Sequence, residues 1–253
     1  MKWVLIGSGN VATKFGEALF DAGYSISQVF SRKAENSQKL AELLEAEALT
    51  DLQKIDEEAD FYLIAVSDQA IPEVVENLNK TLKGVVLHCS GATPLSVLKD
   101  FPNSGVLYPL QTLRKETETD FRTLPLSVEG SSAKTEVTLQ KLAQELSDDV
   151  SLYNSAQRLA LHVSAIFANN FTNHLIGVAY EILQDNHIPE DTLRPLIQET
   201  FQKVLQNHPY DIQTGPAKRG DTLTQKRHLN FLESKKNWQE IYRLLSEEIS
   251  RQQ

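Results

Sequence analysis

Gly7-Ser8-Gly9-Asn10-Val11-Ala12 follows a short apolar run, Trp3 to Ile6, and opens an amphipathic stretch from Val11 to Ala22. Glycines at this spacing suit a phosphorylated ligand. Gly7 permits a tight turn, Gly9 lets the backbone approach a diphosphate, and the small Ala12 lets the following helix pack closely on its sheet. The helix N-terminus then offers unpaired amides and a positive dipole. Gly7 through Ala12 are therefore expected to hold a dinucleotide. The end of the next strand chooses between two such ligands. It reads Ser31-Arg32-Lys33, where a protein selecting a bare ribose diol usually places an acid. A guanidinium grips a 2′-phosphate through its fork, and a serine hydroxyl donates to it. NADP(H) is expected in preference to NAD(H), with Ser31 and Arg32 reading the extra phosphate.

Two further strand ends carry polar groups. Val66-Ser67-Asp68 leaves an apolar strand for a helix. Val66 and Ser67 are expected beside the cofactor, Asp68 as the helix cap, and Pro72 in the first turn. The next strand runs into His88-Cys89-Ser90-Gly91-Ala92-Thr93-Pro94, with Gly91 at a turn and Thr93-Pro94 opening a helix. This loop is expected near the nicotinamide end, so Ser90 joins the cofactor-binding set. His88 reads as a proton donor or as a core residue. Cys89, the one cysteine, reads as a small buried filler, since nothing around it predicts a lowered thiol pKa.

In the second half, a spacing of about 3.6 residues places Ser155, Arg158, His162, Asn169, Asn173 and Tyr180 on one face of a helix from Asn154 to Gln184. Short amides and an imidazole favour fixed hydrogen bonding over simple solvation. The face is read as lining a cleft, with a buried polar seam or a solvent face as the other reading. Hydride transfer to a carbonyl or imine needs a donor near the reacting carbon. His162 is the first candidate, the other reading being a satisfied core histidine. Asn169 or Asn170 would orient the substrate. The Gly215 to Asp221 loop adds Arg219, whose fork suits a carboxylate or phosphate, and Asp221, placed as an N-cap. His228 follows one or two turns later.

The elements that must position these groups alternate. Trp3 to Ile6, Ile26 to Phe30, Phe61 to Val66, Val85 to His88 and Val106 to Tyr108 read as strands separated by amphipathic helices. Near-continuous apolar strands imply a parallel sheet covered on both faces. Leu124 to Val128 and a helix from Ala133 to Leu146 complete it. After about Leu152 only helical patterns remain: Asn154 to Gln184, Asp191 to Gln206, Thr222 to Leu232 and Trp238 to Ile249. The predicted fold is an α/β protein with an N-terminal Rossmann-type parallel sheet, residues 1–152, followed by an all-α domain, residues 153–253.

Composition narrows the functions available. Hydrophobic residues make up 41% and charged residues 23% of the chain, as in an ordinary globular protein. A net charge of -9 argues against broad binding to nucleic acid or anionic membrane, which need a positive field. No ligand-spaced Cys/His cluster suggests a metal, and no run approaches a membrane span. A cytoplasmic location is expected.

On Gly7 to Ala12, Ser31-Arg32, Ala65 to Asp68 and His88 to Gly91, the N-terminal half resembles the pyrroline-5-carboxylate reductase and deazaflavin-dependent NADP reductase group. Tyr108-Pro109-Leu110-Gln111-Thr112, His162 to Asn170 and Thr214 to Asp221 resemble a narrower family, Rossmann-like NADP-dependent oxidoreductases with a C-terminal helical domain of unassigned function. The resemblance implies an NADP-binding domain and a helical domain that forms a homodimer. Where that family carries His-Pro, this chain carries Tyr108-Pro109, which unsettles any role for the histidine. Tyr108 could donate a proton or merely pack. The expected activity is hydride transfer to or from a small carbonyl, imine or acid, the alternative being a non-catalytic NADP(H)-binding sensor or partner protein.

Overall fold

A computed structural model describes residues Met1–Arg251. Eight strands form one sheet: β1 (Lys2–Ile6), β2 (Ser25–Phe30), β3 (Glu47–Leu49), β4 (Phe61–Ile64), β5 (Val85–His88), β6 (Ser104–Pro109), β7 (Leu126–Gly130) and β8 (Val150–Leu152). Their order is β3-β2-β1-β4-β5-β6-β7-β8. Four helices pack on it: α1 (Asn10–Asp21), α2 (Ala34–Leu43), α3 (Ile71–Asn77) and α4 (Ala133–Leu146).

The apolar strands are covered on both faces, as their composition requires. Trp3, Leu5, Leu63 and Leu87 join one buried cluster with residues of α1, α2 and α4. Val4, Ile6, Tyr62, Ile64 and Val86 join the other, with Ile71, Val74 and Val75 of α3. Successive side chains of a strand point to opposite faces, so one unbroken apolar run feeds two cores. Trp3 stacks on Phe61 across the first, with ring centroids 4.5 Å apart.

Several local expectations need correction. The sheet is not wholly parallel: β7 runs antiparallel to β6, with Tyr108 opposite Ser127. A parallel return needs a crossover, usually a helix, whereas residues 110–125 carry only a 3₁₀ turn at Phe121–Thr123 and close at the base through Leu110 N to Pro125 O, 2.9 Å. β4 stops at Ile64 rather than Val66, and the edge strand β3, with its short mixed sequence, carried no strand pattern. Asp68 is not a cap. It opens a 3₁₀ turn, Asp68–Ala70, closed by Ala70 N to Ser67 O at 2.8 Å, and α3 starts with Pro72 in its first turn and no side-chain cap. Pro94 precedes only a 3₁₀ turn, Leu95–Leu98.

The predicted helix from Asn154 to Gln184 is α5 (Ser155–Ala165), a π turn at Ile166–Phe171, and α6 (Thr172–Asp185). Asn154 and Gln157 form a reciprocal capping box at its start, the arrangement that satisfies two orphan donors. A π turn winds with i to i+5 bonds, so the 3.6-residue spacing that placed Ser155 through Tyr180 on one face does not carry across it.

The chain forms two compact units, Met1–Ala168 and the residues from Asn169 onward. The second unit holds α6, α7 (Arg194–Gln206), α8 (Thr222–Phe231) and α9 (Lys236–Arg251). Among its described apolar residues only Ala217 and Leu232 are buried. Among the described residues no helix is long and apolar enough to cross a membrane.

Candidate functional site

A cleft of about 880 Å³ opens at the carboxyl ends of β1, β2 and β4 and is lined by Gly7 to Val11, Ser31 to Lys33, and Ala65 to Ser67. Its volume falls in the range of about 300–1,000 Å³ typical of small-molecule sites. The two glycines do different work. Gly7 takes φ 128°, and a Cβ there would stand 2.2 Å from the Ala65 carbonyl oxygen, so backbone closeness and dihedral both demand glycine. A Cβ on Gly9 would meet no atom within 4 Å. Protein packing does not account for this glycine; the space it leaves belongs to the cleft. Ala12 is fully buried under the turn.

Gly9 caps α1 without a side-chain hydrogen bond, and the first turn carries no acid. The orphan amides of that turn and the positive end of the dipole are therefore left for an anion. Ser8 Oγ donates to Ser31 Oγ at 2.9 Å, which ties the glycine turn to the end of β2. Arg32 and Lys33 follow on the rim, both exposed. Asp51 lines the far edge, its carboxylate accepting from the Gln53 amide at 3.0 Å. An open space before Gly9, uncapped amides and a guanidinium where a diol reader has an acid together fit a dinucleotide with a 2′-phosphate.

A second constellation sits at the ends of β5 and β6. Tyr108 Oη and His162 Nδ1 are 3.0 Å apart, and their rings meet edge to face. A Cβ on Gly91 would stand 2.7 Å from the His162 ring and 2.8 Å from Tyr108 Cζ, so the missing side chain is what lets both rings rest on the loop. Burial, with the Asp68 carboxylate adding to it and Arg158 opposing it, raises the Tyr108 phenol above its ordinary pKa.

Arg158 holds that loop. Fully buried, it donates from Nε to Ser90 O at 3.2 Å and from Nη2 to Thr93 O at 2.7 Å, and its Nη1 pairs with Glu129. Glu129 also accepts from the Ser155 amide at 3.0 Å, and Ser155 Oγ in turn accepts from the Leu95 amide at 2.9 Å. Arg158 was expected to line a cleft; it instead threads the loop after β5 to α5. Ser90 does not line the cleft of the glycine turn: its Oγ accepts from the Ala92 and Thr93 amides at 3.2 and 2.9 Å. His88 is buried and accepts at Nδ1 from the Ser90 amide, 3.2 Å. Burial and the Arg158 charge push it down to about 4, with the Pro94 carbonyl opposing, so it is neutral near pH 7. Burial, then the Asp68 charge, pushes the Cys89 thiol up to about 12, which keeps it protonated and un-nucleophilic.

The remaining predicted residues lie in the second unit. Asn169 and Asn170 are in the π turn and are exposed. Arg219 is exposed in the Gly215–Gly220 turn, whose two glycines take positive φ. Asp221 caps α8 as expected, accepting from the Thr224 amide at 3.0 Å, and that amide with the Thr224 hydroxyl holds its carboxyl below the usual range. His228 Nδ1 lies 2.8 Å from Tyr242 Oη. Sequence reasoning left out the Glu129 partner of Arg158 and the Tyr108 partner of His162. A buried arginine predicts some acid partner, but neither periodicity nor spacing says which.

Two family models match the chain: an NADP oxidoreductase, coenzyme F420-dependent, over residues 2–87, and a domain of unknown function (DUF2520) over residues 124–249. No curated protein matches. Among solved structures, a Bacteroides fragilis protein provisionally named NADP oxidoreductase is 37% identical over 99% of this chain and 98% of its own, with a TM-score of 0.88. A pyrroline-5-carboxylate reductase from Streptococcus pyogenes is 14% identical, covering 99% of this chain and 98% of its own, with a TM-score of 0.65. An imine reductase from Myxococcus stipitatus, solved with NADP+, is also 14% identical, over 99% and 92%, with a TM-score of 0.67. The last two share the fold. The chain, whose oxidoreductase match precedes its match to the domain of unknown function, belongs to the NADP oxidoreductase family represented by the Bacteroides fragilis protein.

Proposed function

We propose that the protein is an NADP(H)-dependent oxidoreductase that moves a hydride to or from a small carbonyl, imine or acid. The observation that carries this reading is Arg32 at the end of β2, on the rim of a cleft whose glycine turn leaves open space before Gly9. Gly7 to Ala12 would hold the diphosphate, Ser31 and Arg32 the 2′-phosphate, and Val66 and Ser67 the remaining contacts in the cleft, with Ser90 acting only by shaping the loop after β5. The nicotinamide of the bound cofactor would donate the hydride in reduction and accept it in oxidation. His162, with the Tyr108 hydroxyl beside it, would give a proton to the substrate heteroatom or stabilise the charge developing on it. Asn169, Asn170 and Arg219 are proposed to orient the substrate, Arg219 through a carboxylate where there is one. The imine and pyrroline carboxylate reductases that share the fold support this range of substrates.

A homodimer is part of the proposal. Leu196, Leu205, Leu223, Phe231 and Leu244 of the second unit are exposed, and a second copy of the chain would cover them.

Fluorescence titration tests the cofactor. Arg32→Ala is expected to weaken NADPH by about tenfold to hundredfold and NADH by far less, the worth of one charge-assisted hydrogen bond. Equal small effects on both nucleotides would sink the NADP assignment. Tight NADPH binding without turnover across carbonyls and imines would favour the sensor reading instead.

A further inference from the structure

Residues 110–125 form a strap that leaves β6 at its carboxyl end and returns to β7. Leu110 N to Pro125 O closes the base, and Leu113 and Phe121 are buried in the cluster that also holds α1. Phe121 meets Phe15 of α1 edge to face, with centroids 5.3 Å apart. The strap is thus anchored on the α1 side of the sheet. From it Lys115 reaches the glycine turn, 107 positions away in sequence, and donates from Nζ to the Ser8 carbonyl at 2.6 Å.

That bond leaves the ammonium's charge unmatched. Among the described residues Lys115 makes no ion pair, although Glu116 and Glu118 are its near neighbours in sequence. In a chain of net charge -9, a cation held against a neutral carbonyl of the glycine turn is a feature that strap anchoring alone does not call for, since Leu113 and Phe121 already supply it. Ser8 is also the residue whose hydroxyl reaches Ser31. Ser8 thus links Lys115, which stands just outside the cleft lining, to Ser31, the residue before Arg32. A helix N-terminus offers roughly half a charge to an anion, whereas a diphosphate carries two.

We propose that Lys115 is a further cofactor-binding residue whose ammonium engages the diphosphate of the dinucleotide. This rests on the NADP(H) reading above. Isothermal titration of Lys115→Met, which keeps the aliphatic stem, against three ligands tests it. NADPH and 2′-phosphoadenosine 5′-diphosphoribose should each weaken by about tenfold to hundredfold, while adenosine 2′-monophosphate, which lacks the diphosphate, should stay within about twofold. Arg32→Ala should weaken all three, and Lys115→Arg should recover most of the lost affinity. If Lys115→Met weakens all three ligands alike, or none of them, the diphosphate contact is wrong while the NADP(H) reading stands. If the unaltered protein binds none of the three, that reading fails and Lys115 with it.

Discussion

Gly91 and His162 show how much chemistry turns on a few atoms. The imidazole and the Tyr108 phenol share a 3.0 Å hydrogen bond, and both rest where a Cβ on Gly91 would otherwise be. Such a pair either packs or passes protons, and a variant that keeps the shape but alters the proton inventory separates the two roles. His162→Asn is expected to lower kcat by about a hundredfold or more, the usual worth of a positioned acid or base, with the NADPH Kd and the melting temperature little changed. Unaltered turnover on a substrate of the wild type would remove His162 from the mechanism. Cys89 is the counter-example: a thiol pushed up to about 12 by burial has no nucleophilic form to offer near pH 7.

At the scale of elements, one buried arginine on α5 ties that helix both to the loop after β5 and to β7. Arg158 donates to Ser90 and Thr93 carbonyls and pairs with Glu129 on β7. Removing one member of a buried pair leaves the other charge uncompensated. Arg158→Ala should therefore destabilise the fold by about 3–5 kcal/mol, whereas replacing both partners by apolar residues of similar volume should cost less. Denaturant melts of the single and double variants check this; a single variant within about 1 kcal/mol of wild type would show that the pair is not a clamp. Element reading from sequence worked where burial is uniform. The runs at Trp3, Phe61 and Val85 are apolar because both faces are covered, and the pattern says so. It failed at β7 and at the π turn, since strand direction depends on what the connection contains and helix winding depends on tertiary packing.

For the molecule as a whole, the second unit buries only Ala217 and Leu232 among its described apolar residues. Helices with so few fully buried apolar side chains gain less from apolar burial to set against the conformational entropy of ordering them. Leu205, 85% exposed, and Leu223, 63% exposed, are the side chains that the proposed second copy would cover. Analytical ultracentrifugation should give twice the chain mass at micromolar concentration, and Leu205→Asp combined with Leu223→Asp should shift the protein toward monomer with loss of thermal stability. A wild-type monomer that melts cooperatively would overturn the dimer.

What the chain of residues determined unaided is local: a glycine turn between a strand and a helix, a cation where a diol reader keeps an acid, and strands apolar enough to need cover on both sides. Each follows from neighbours within one or two turns, where spacing alone sets geometry. Tertiary structure decided the pairings: Tyr108 with His162, Arg158 with Glu129, and Lys115 with Ser8, whose separation of 107 positions leaves no periodic trace. A hydrogen bond needs its two atoms within about 3 Å, and only the folded path of the backbone brings such distant residues that close.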